Sequence, residues 1–378
     1  MSICQNIFQQ VFCLSTKICS AAKDRGSAKS LAATLKSNLE SLYANADFAN
    51  GDRWSTSWGP VVWQAPFSNV ADQAVAVCFN ETQKFYVVAI AATNPNSLFD
   101  GFEDLAASPL HMQPLANPPG GSTTAGNWVA LQAILTQMMS AGQPLGPFLK
   151  GVASADATLV FCGHSLGGGL APLAAASLYP TGTASSGWKN VYTYGSAGPA
   201  TADSTFAAAF NKAFPATAAG QEPYAVWNAN QYNLHDVVPN AWAPGKTAPG
   251  LAQITASTQS PTEAMFYTNP LFMLVVAALR TMTQSLASYP DGRGNPYVAL
   301  NNNPFFTGAR QAGQITSSTL LEKEILYQHI QAYLEAFGVT GLFPAEEVNG
   351  TIRPPLLTLA RTASAACVTA EATTCAAP

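Results

Sequence analysis

Charge is scarce in this sequence. Of 378 residues, 17 are Lys or Arg and 21 are Asp or Glu, 10% in all, for a formal net charge of −4. An average soluble chain carries about a quarter charged residues. So small a basic complement excludes a nucleic-acid binder that works through a cationic face, and the composition excludes charge-driven disorder. Ser, Thr, Asn, Gln and Ala must therefore cover much of the surface. Long apolar runs are missing as well. The longest strictly apolar one, Leu271 to Leu279, is bounded by Asn269-Pro270 and Arg280, well short of the roughly 20 residues a transmembrane helix needs. The opening MSICQNIFQQVFCLSTKIC has neither a basic start nor a continuous apolar core, so it does not read as a signal peptide, and the compartment stays open.

Cysteine offers no metal pattern. The seven cysteines are an odd number, so at least one stands outside any intrachain pair. No spacing among them resembles a zinc site. Cys78 and Cys162 lie in apolar runs and read as small buried hydrophobes. Cys4, Cys13 and Cys19 near one end, with Cys367 and Cys375 near the other, leave terminal disulfides open and their pairing undetermined. Two N-x-[ST] triplets, at Asn80 and Asn349, are within what chance supplies in a chain rich in Asn and Thr. Histidine is the scarcest functional residue, with four in the chain.

What is present is a chain 48% hydrophobic, enough for a sizeable core. We read it as one domain over 1–378, with an N-terminal helical segment in 1–48. Leu31, Leu35, Leu39 and Leu42 stand there at helical spacing. AVAVCF (74–79) and FYVVAIAA (85–92) are short, β-branched runs separated by a turn, which predicts neighbouring strands. Residues 94–126 are rich in Pro, Gly and Ser and form a lid candidate, followed by a helix predicted over 128–139. Then a rhythm begins. Strands are predicted at 157–163, 191–195 and 224–229, with helices at 166–178 and 203–214 between them. Such alternation predicts a mostly parallel sheet flanked by helices, an α/β class. Strands apolar without a break fit burial on both faces. Residues 239–314 interrupt the rhythm and read as a cap-like insertion with one apolar helix candidate at 270–286. Helical spacing returns at 320–337, and 363–378 reads as a surface tail.

One motif carries chemistry. Gly163-His164-Ser165-Leu166-Gly167 fits G-x-S-x-G, with an apolar strand entering and a small-residue helix leaving. That context predicts a nucleophile elbow, a sharp strand-to-helix turn presenting a serine hydroxyl. A serine needs a base, and the base needs an orienting acid. In chain order this fold places Ser, then Asp or Glu, then His. His164 adjoins the nucleophile, His111 lies upstream, and His235 adjoins an aspartate. His329 alone lies far downstream and is favoured as the base. Asp236, just after the strand at 224–229, is favoured as the acid over Asp203, which reads equally as a helix-start residue. For the oxyanion hole, the candidates are the backbone N–H of Leu166 and Thr93, which follows the strand at 85–92.

These stretches resemble the class 3 lipase family, the fungal-lipase-like α/β-hydrolases, over roughly residues 74–242 and again near 329. LVFCGHSLGGGLAPLAAASL is similar to the family's elbow and helix, VYTYGSAGPATADSTFAAAF to the following strand and helix, and NLHDVVP to the segment carrying the acid. AIAATNPNSLFDGFEDL resembles the oxyanion segment, and His329 followed by Tyr333 resembles the His segment. The resemblance implies an α/β-hydrolase fold and a serine hydrolase that cleaves lipid esters, triacylglycerol-lipase-like, through an acyl-enzyme. It implies no metal or organic cofactor, an ester substrate, transient contact with a lipid interface, and an exported protein. Three departures stand out: Ala91-Ala92 where the family usually has Arg-Gly, Pro172 inside the elbow helix, where a kink or a late start is expected, and the length of 239–314. Short-chain carboxylesterase, phospholipase A1, a non-catalytic lipid-binding or interaction protein of the same scaffold, and a serine peptidase of similar fold are the alternatives. Leu98, Phe99, Phe102, Leu105, Leu110, Met112 and Leu115 fit a mobile lid and a fixed packed helix equally well.

Overall fold

The computed structural model describes residues 3–22, 24–91, 109–236, 238, 239, 242, 291, 294, 296–309, 311 and 318–343. Its centre is a seven-stranded sheet whose strands follow one another across the sheet in chain order: β1 (Trp54–Trp63), β2 (Gln73–Asn80), β3 (Phe85–Ile90), β4 (Thr158–His164), β5 (Asn190–Ser196), β6 (Ala229–Asn233) and β7 (Asn302–Phe306). Only β2 runs against the others. This is the mostly parallel, helix-flanked architecture of the α/β-hydrolase fold.

The sequential order decides how the two faces are covered. Parallel crossovers are overwhelmingly right-handed, so a sheet wound in one direction receives its crossover helices on one face. That face holds Val75, Val77, Val88, Ile90, Leu159, Phe161 and Val191. They pack against residues of α3 (Ala125–Gln132), α4 (Leu145–Val152), α5 (Leu166–Leu178) and α6 (Ser204–Ala213). The opposite face, with Val87, Ala89, Val160, Cys162 and Tyr194, is closed by the ends of the described chain. These are α1 (Ile7–Lys17), α2 (Ala28–Ala44), and a helical run of α7 (Ser318–Leu326), a π turn (Tyr327–Gln331) and α8 (Ala332–Ala336). Phe12 of α1 stacks on Phe337 with ring centroids 3.9 Å apart, and Gln9 Nε2 donates to the Phe337 carbonyl at 2.7 Å. Ser27 and Asn6 cap α2 and α1 through their side-chain oxygens.

Several boundaries differ from expectation. The strand predicted at 224–229 divides. Val226–Trp227 pairs with Thr217–Ala218 in a small hairpin, and the sheet strand is 229–233. Its polarity hid it: the Asn230, Gln231 and Asn233 amides bond to neighbouring loops rather than to water. Residues 302–306, within the 239–314 insertion read from sequence, form the edge strand β7. The helix expected at 128–139 starts at Ala125 and passes into a π turn at Ala133–Gln137. The elbow helix starts at Leu166 and contains Pro172, without the late start expected. Asp203 is the N-cap of α6, accepting from the Phe206 N–H. Cys78 and Cys162 are buried free thiols in β2 and β4, and Cys4 and Cys13 are free as well. Asn80 is fully buried and donates to Asp52 Oδ2, which leaves its side chain no room for a glycan. Thr93, residues 94–108 of the lid candidate 94–126, the helix candidate 270–286, Asn349 and the tail 363–378 lie outside the described residues.

Candidate active site

The parallel strands end along one edge, and β4 delivers Ser165 there. Its backbone has φ 56° and ψ −129°, a region a residue with a Cβ rarely occupies. The turn is feasible because its neighbours lack side chains. A Cβ on Gly163 would overlap the backbone of Gly167, and one on Gly167 would overlap the Ile90 carbonyl oxygen. The same contact brings the Ile90–Ala91 backbone, the start of the loop after β3, against the elbow. Ser165 is 5% exposed and its N–H donates to the Ser196 carbonyl at 2.9 Å, tying the elbow to the end of β5. Leu166 opens α5, where the first N–H groups have no preceding turn to bond and the helix dipole favours negative charge.

Asp236 lies three residues beyond β6 and is fully buried. One carboxylate oxygen, Oδ1, accepts from the Val238 N–H at 3.0 Å. The other, Oδ2, accepts from Tyr333 Oη and from His329 Nδ1, each at 2.8 Å. Tyr333 Oη accepts in turn from the Asn233 N–H at 3.0 Å. Burial, with the Asp236 charge next in weight, holds the Tyr333 phenol well above its usual range, so it serves Asp236 as a donor. Asn233, the last residue of β6, accepts from the N–H groups of His235 and Gly308 and donates to Gln328 in the π turn. The strand end, the acid and the histidine segment are thus one hydrogen-bonded unit.

His329 is 2% exposed. Because Nδ1 donates to Asp236, the neutral ring carries its lone pair on Nε2, and that atom is buried without a hydrogen-bond partner among the described residues. The backbone of His329 is held separately. His164 Nε2 donates to the His329 carbonyl at 2.8 Å, which makes His164 Nδ1 the acceptor of the Ser196 hydroxyl at 3.0 Å. The two imidazole centroids are 5.0 Å apart, and His164 meets Tyr333 and Phe12 edge to face. Burial first, then the neighbouring His329, pushes the His164 pKa well below its ordinary 6.5, so the ring is neutral.

The structure therefore brings Asp236 and His329 into contact, and seats His329 on the residue preceding Ser165. Leu166 follows Ser165 at the helix start, and Thr93 lies outside the described residues. His111 is exposed, and His235 Nδ1 donates to the Gly308 carbonyl at 2.8 Å. Sequence reading noted only that His164 adjoins the nucleophile. No spacing rule reveals a bond between residues 165 positions apart. Among the described residues, no group of three or more His, Cys, Asp or Glu suits a metal ion, and no helix is long and apolar enough to cross a membrane.

Comparison with known proteins bears on this arrangement. Residues 87–244 match the family Lipase (class 3). Among solved structures, the crystal structure of M37 lipase aligns over 94% of this chain and 98% of its own, with TM-score 0.65 and 20% identity. The Rhizomucor miehei lipase propeptide complex aligns over 63% of this chain and 64% of its own (TM-score 0.41, 15% identity). The Lip2 lipase of Yarrowia lipolytica covers 62% and 72% (TM-score 0.41, 14% identity). No curated protein matches the chain.

Proposed function

We propose, from the match of residues 87–244 to the class 3 lipases, that the chain is a carboxylic ester hydrolase acting on lipid esters and that Ser165, His329 and Asp236 form its catalytic triad. In this reading His329 Nε2 takes the hydroxyl proton as Ser165 Oγ bonds to the ester carbonyl carbon. Asp236 fixes the tautomer and stabilises the imidazolium. The Leu166 N–H and Thr93 receive the oxyanion. His329 then protonates the departing alcohol as the C–O bond breaks, and water repeats the sequence on the acyl-enzyme.

The observation that carries the reading is the pair His329 Nδ1–Asp236 Oδ2 at 2.8 Å, both groups buried, with Nε2 unpartnered among the described residues. A buried imidazole normally finds partners for both nitrogens. One left open on a histidine seated against His164, the residue before a strained serine, is what a general base requires. The family match supports lipid esters as the substrate class, and medium or long acyl chains are the expectation put to the test.

The experiment is hydrolysis of p-nitrophenyl esters across acyl lengths. Medium or long chains should be cleaved faster than acetate. Ser165→Ala should lose at least about 10⁴-fold in kcat, and Asp236→Asn about 10⁴-fold. A preference for acetate would make the protein a short-chain esterase. Full activity in Ser165→Ala would end the assignment.

A further inference from the structure

We propose that the loop joining β1 to β2, residues 64–72, is a lipid-surface anchor with Phe67 at its tip. The inference rests on the ester-hydrolase reading of Ser165 and goes beyond it. Phe67 is fully exposed, the most exposed of the large apolar side chains described. Its backbone is unusual too, at φ 69°. The Ser68 N–H donates to the Ala65 carbonyl at 3.0 Å, closing a four-residue turn with Pro66 second and Phe67 third. A positive φ at the third position is where Gly or Asn is ordinarily found. An aromatic residue there strains the fold and gains no packing contact in exchange, so its advantage lies outside the folded chain.

The loop is built to present that ring. Gln64 Nε2 donates to the carbonyls of Gly26 and Val70 at 2.8 and 3.1 Å. The Gly26 N–H donates to the Asn69 carbonyl at 2.8 Å, Arg25 Nη1 to Asn69 Oδ1 at 3.0 Å, and the Ala65 N–H to Asp72 Oδ2 at 2.9 Å. From Gln64 to Ala71 there is no charged residue. The loop's polar groups are largely paired already, so contact with an apolar phase removes little hydration from them.

Position selects the occupant. Trp63 pairs with Gln73, Val75 with Ile90, and Ile90 with Gly163. The loop therefore leaves the sheet at the edge that carries Ser165, about three strand spacings or ~14 Å along it. Leu110 and Val298, also exposed, belong to or precede the small sheet of segments that follow β3, β5 and β6. An apolar projection on the rim of an ester-cleaving site fits the lipid–water surface on which the ester lies.

The test uses Ser165→Ala protein, so that binding is read without hydrolysis, and droplets of triolein coated with phosphatidylcholine. The added variant Phe67→Asn should weaken sedimentation with droplets about 10-fold, and Phe67→Trp should show a blue-shifted difference emission when droplets are added. In the active background, Phe67→Asn should lower the ratio of droplet to dissolved-ester kcat/KM about 10-fold, with its thermal midpoint equal to or above that of the wild type. Unchanged droplet binding, or an unshifted Trp emission, overturns the proposal. So does a lowered thermal midpoint, which would make Phe67 a structural residue, or a dimer that Phe67→Asn turns into a monomer. If the wild type cleaves no dissolved ester, the triad reading fails while the droplet-binding result still decides this one.

Discussion

Ser165 and its glycine neighbours show how one position sets the terms for several others. Gly167 lies in the first turn of α5, where alanine would ordinarily gain up to about 1 kcal/mol of helix propensity. The added Cβ would overlap the Ile90 carbonyl oxygen, a backbone atom that cannot swing aside, and overpacking of this kind costs about 1–3 kcal/mol or more. The clash outweighs the propensity. Gly167→Ala should therefore destabilise by about 2 kcal/mol in urea denaturation, and should lower esterase kcat by displacing the loop after β3 that leads to Thr93. The hydroxyl of Tyr333 offers a finer probe. Tyr333→Phe removes one donor from a buried carboxylate, a bond worth about 1.5–3 kcal/mol, without touching the His329 contact. The expected result is a stability loss in that range, with kcat lowered about 10-fold and KM little changed. Legibility at this scale followed chemistry. Ser165 was readable because an elbow demands glycines at set positions. His329 was readable because so few histidines competed. The hold of His164 on the His329 carbonyl was not, since nothing local marks a tertiary partner.

The elements were legible wherever hydrophobicity follows a period. Strands β2 to β5 are apolar because both their faces are covered, and each was recognised close to its observed bounds. Strand β6 broke the rule. Its side-chain amides lock the loops around Asp236, so the apolar run just before it, which makes a hairpin instead, was read as the strand. The turn of π helix at 327–331 is equally silent in sequence, yet it carries His329 and Gln328 into the buried network. Such turns recur at functional sites. Helix α1 has a role no motif announces. The crossover helices occupy one face of the sheet, so α1 must close the other, and Phe12 is its link to both Phe337 and His164. Phe12→Ala should cost about 3–5 kcal/mol. Because Phe12 touches the ring that holds His329, esterase activity should fall at temperatures where the protein is still folded, which a circular-dichroism melt run beside the assay would separate from unfolding.

For the molecule as a whole, scarcity of charge concentrates pH sensitivity in a few buried groups. The exposed pairs Lys36–Glu40 and Arg53–Glu81 are of the kind that contribute little. His164 is different: neutral when folded, because burial holds its pKa well below 6.5, and free to protonate when unfolded. Above about pH 6.5 both states are neutral and stability is at its plateau. As pH falls below that value the unfolded chain gains a proton that the folded chain refuses. Stability then declines by up to about 1.4 kcal/mol per pH unit, until the folded pKa is reached. His164→Gln keeps an amide donor for the His329 carbonyl but cannot titrate. Urea denaturation between pH 7.5 and 5 should therefore give a shallower acid limb for His164→Gln than for the wild type, the two slopes differing by as much as one proton. Raising the salt concentration should leave that difference intact, because the cost comes from removing an imidazolium from water and not from repulsion between surface charges. Parallel acid limbs in the two proteins would mean that His164 takes up its proton in the folded state, and that its bond to His329 survives protonation.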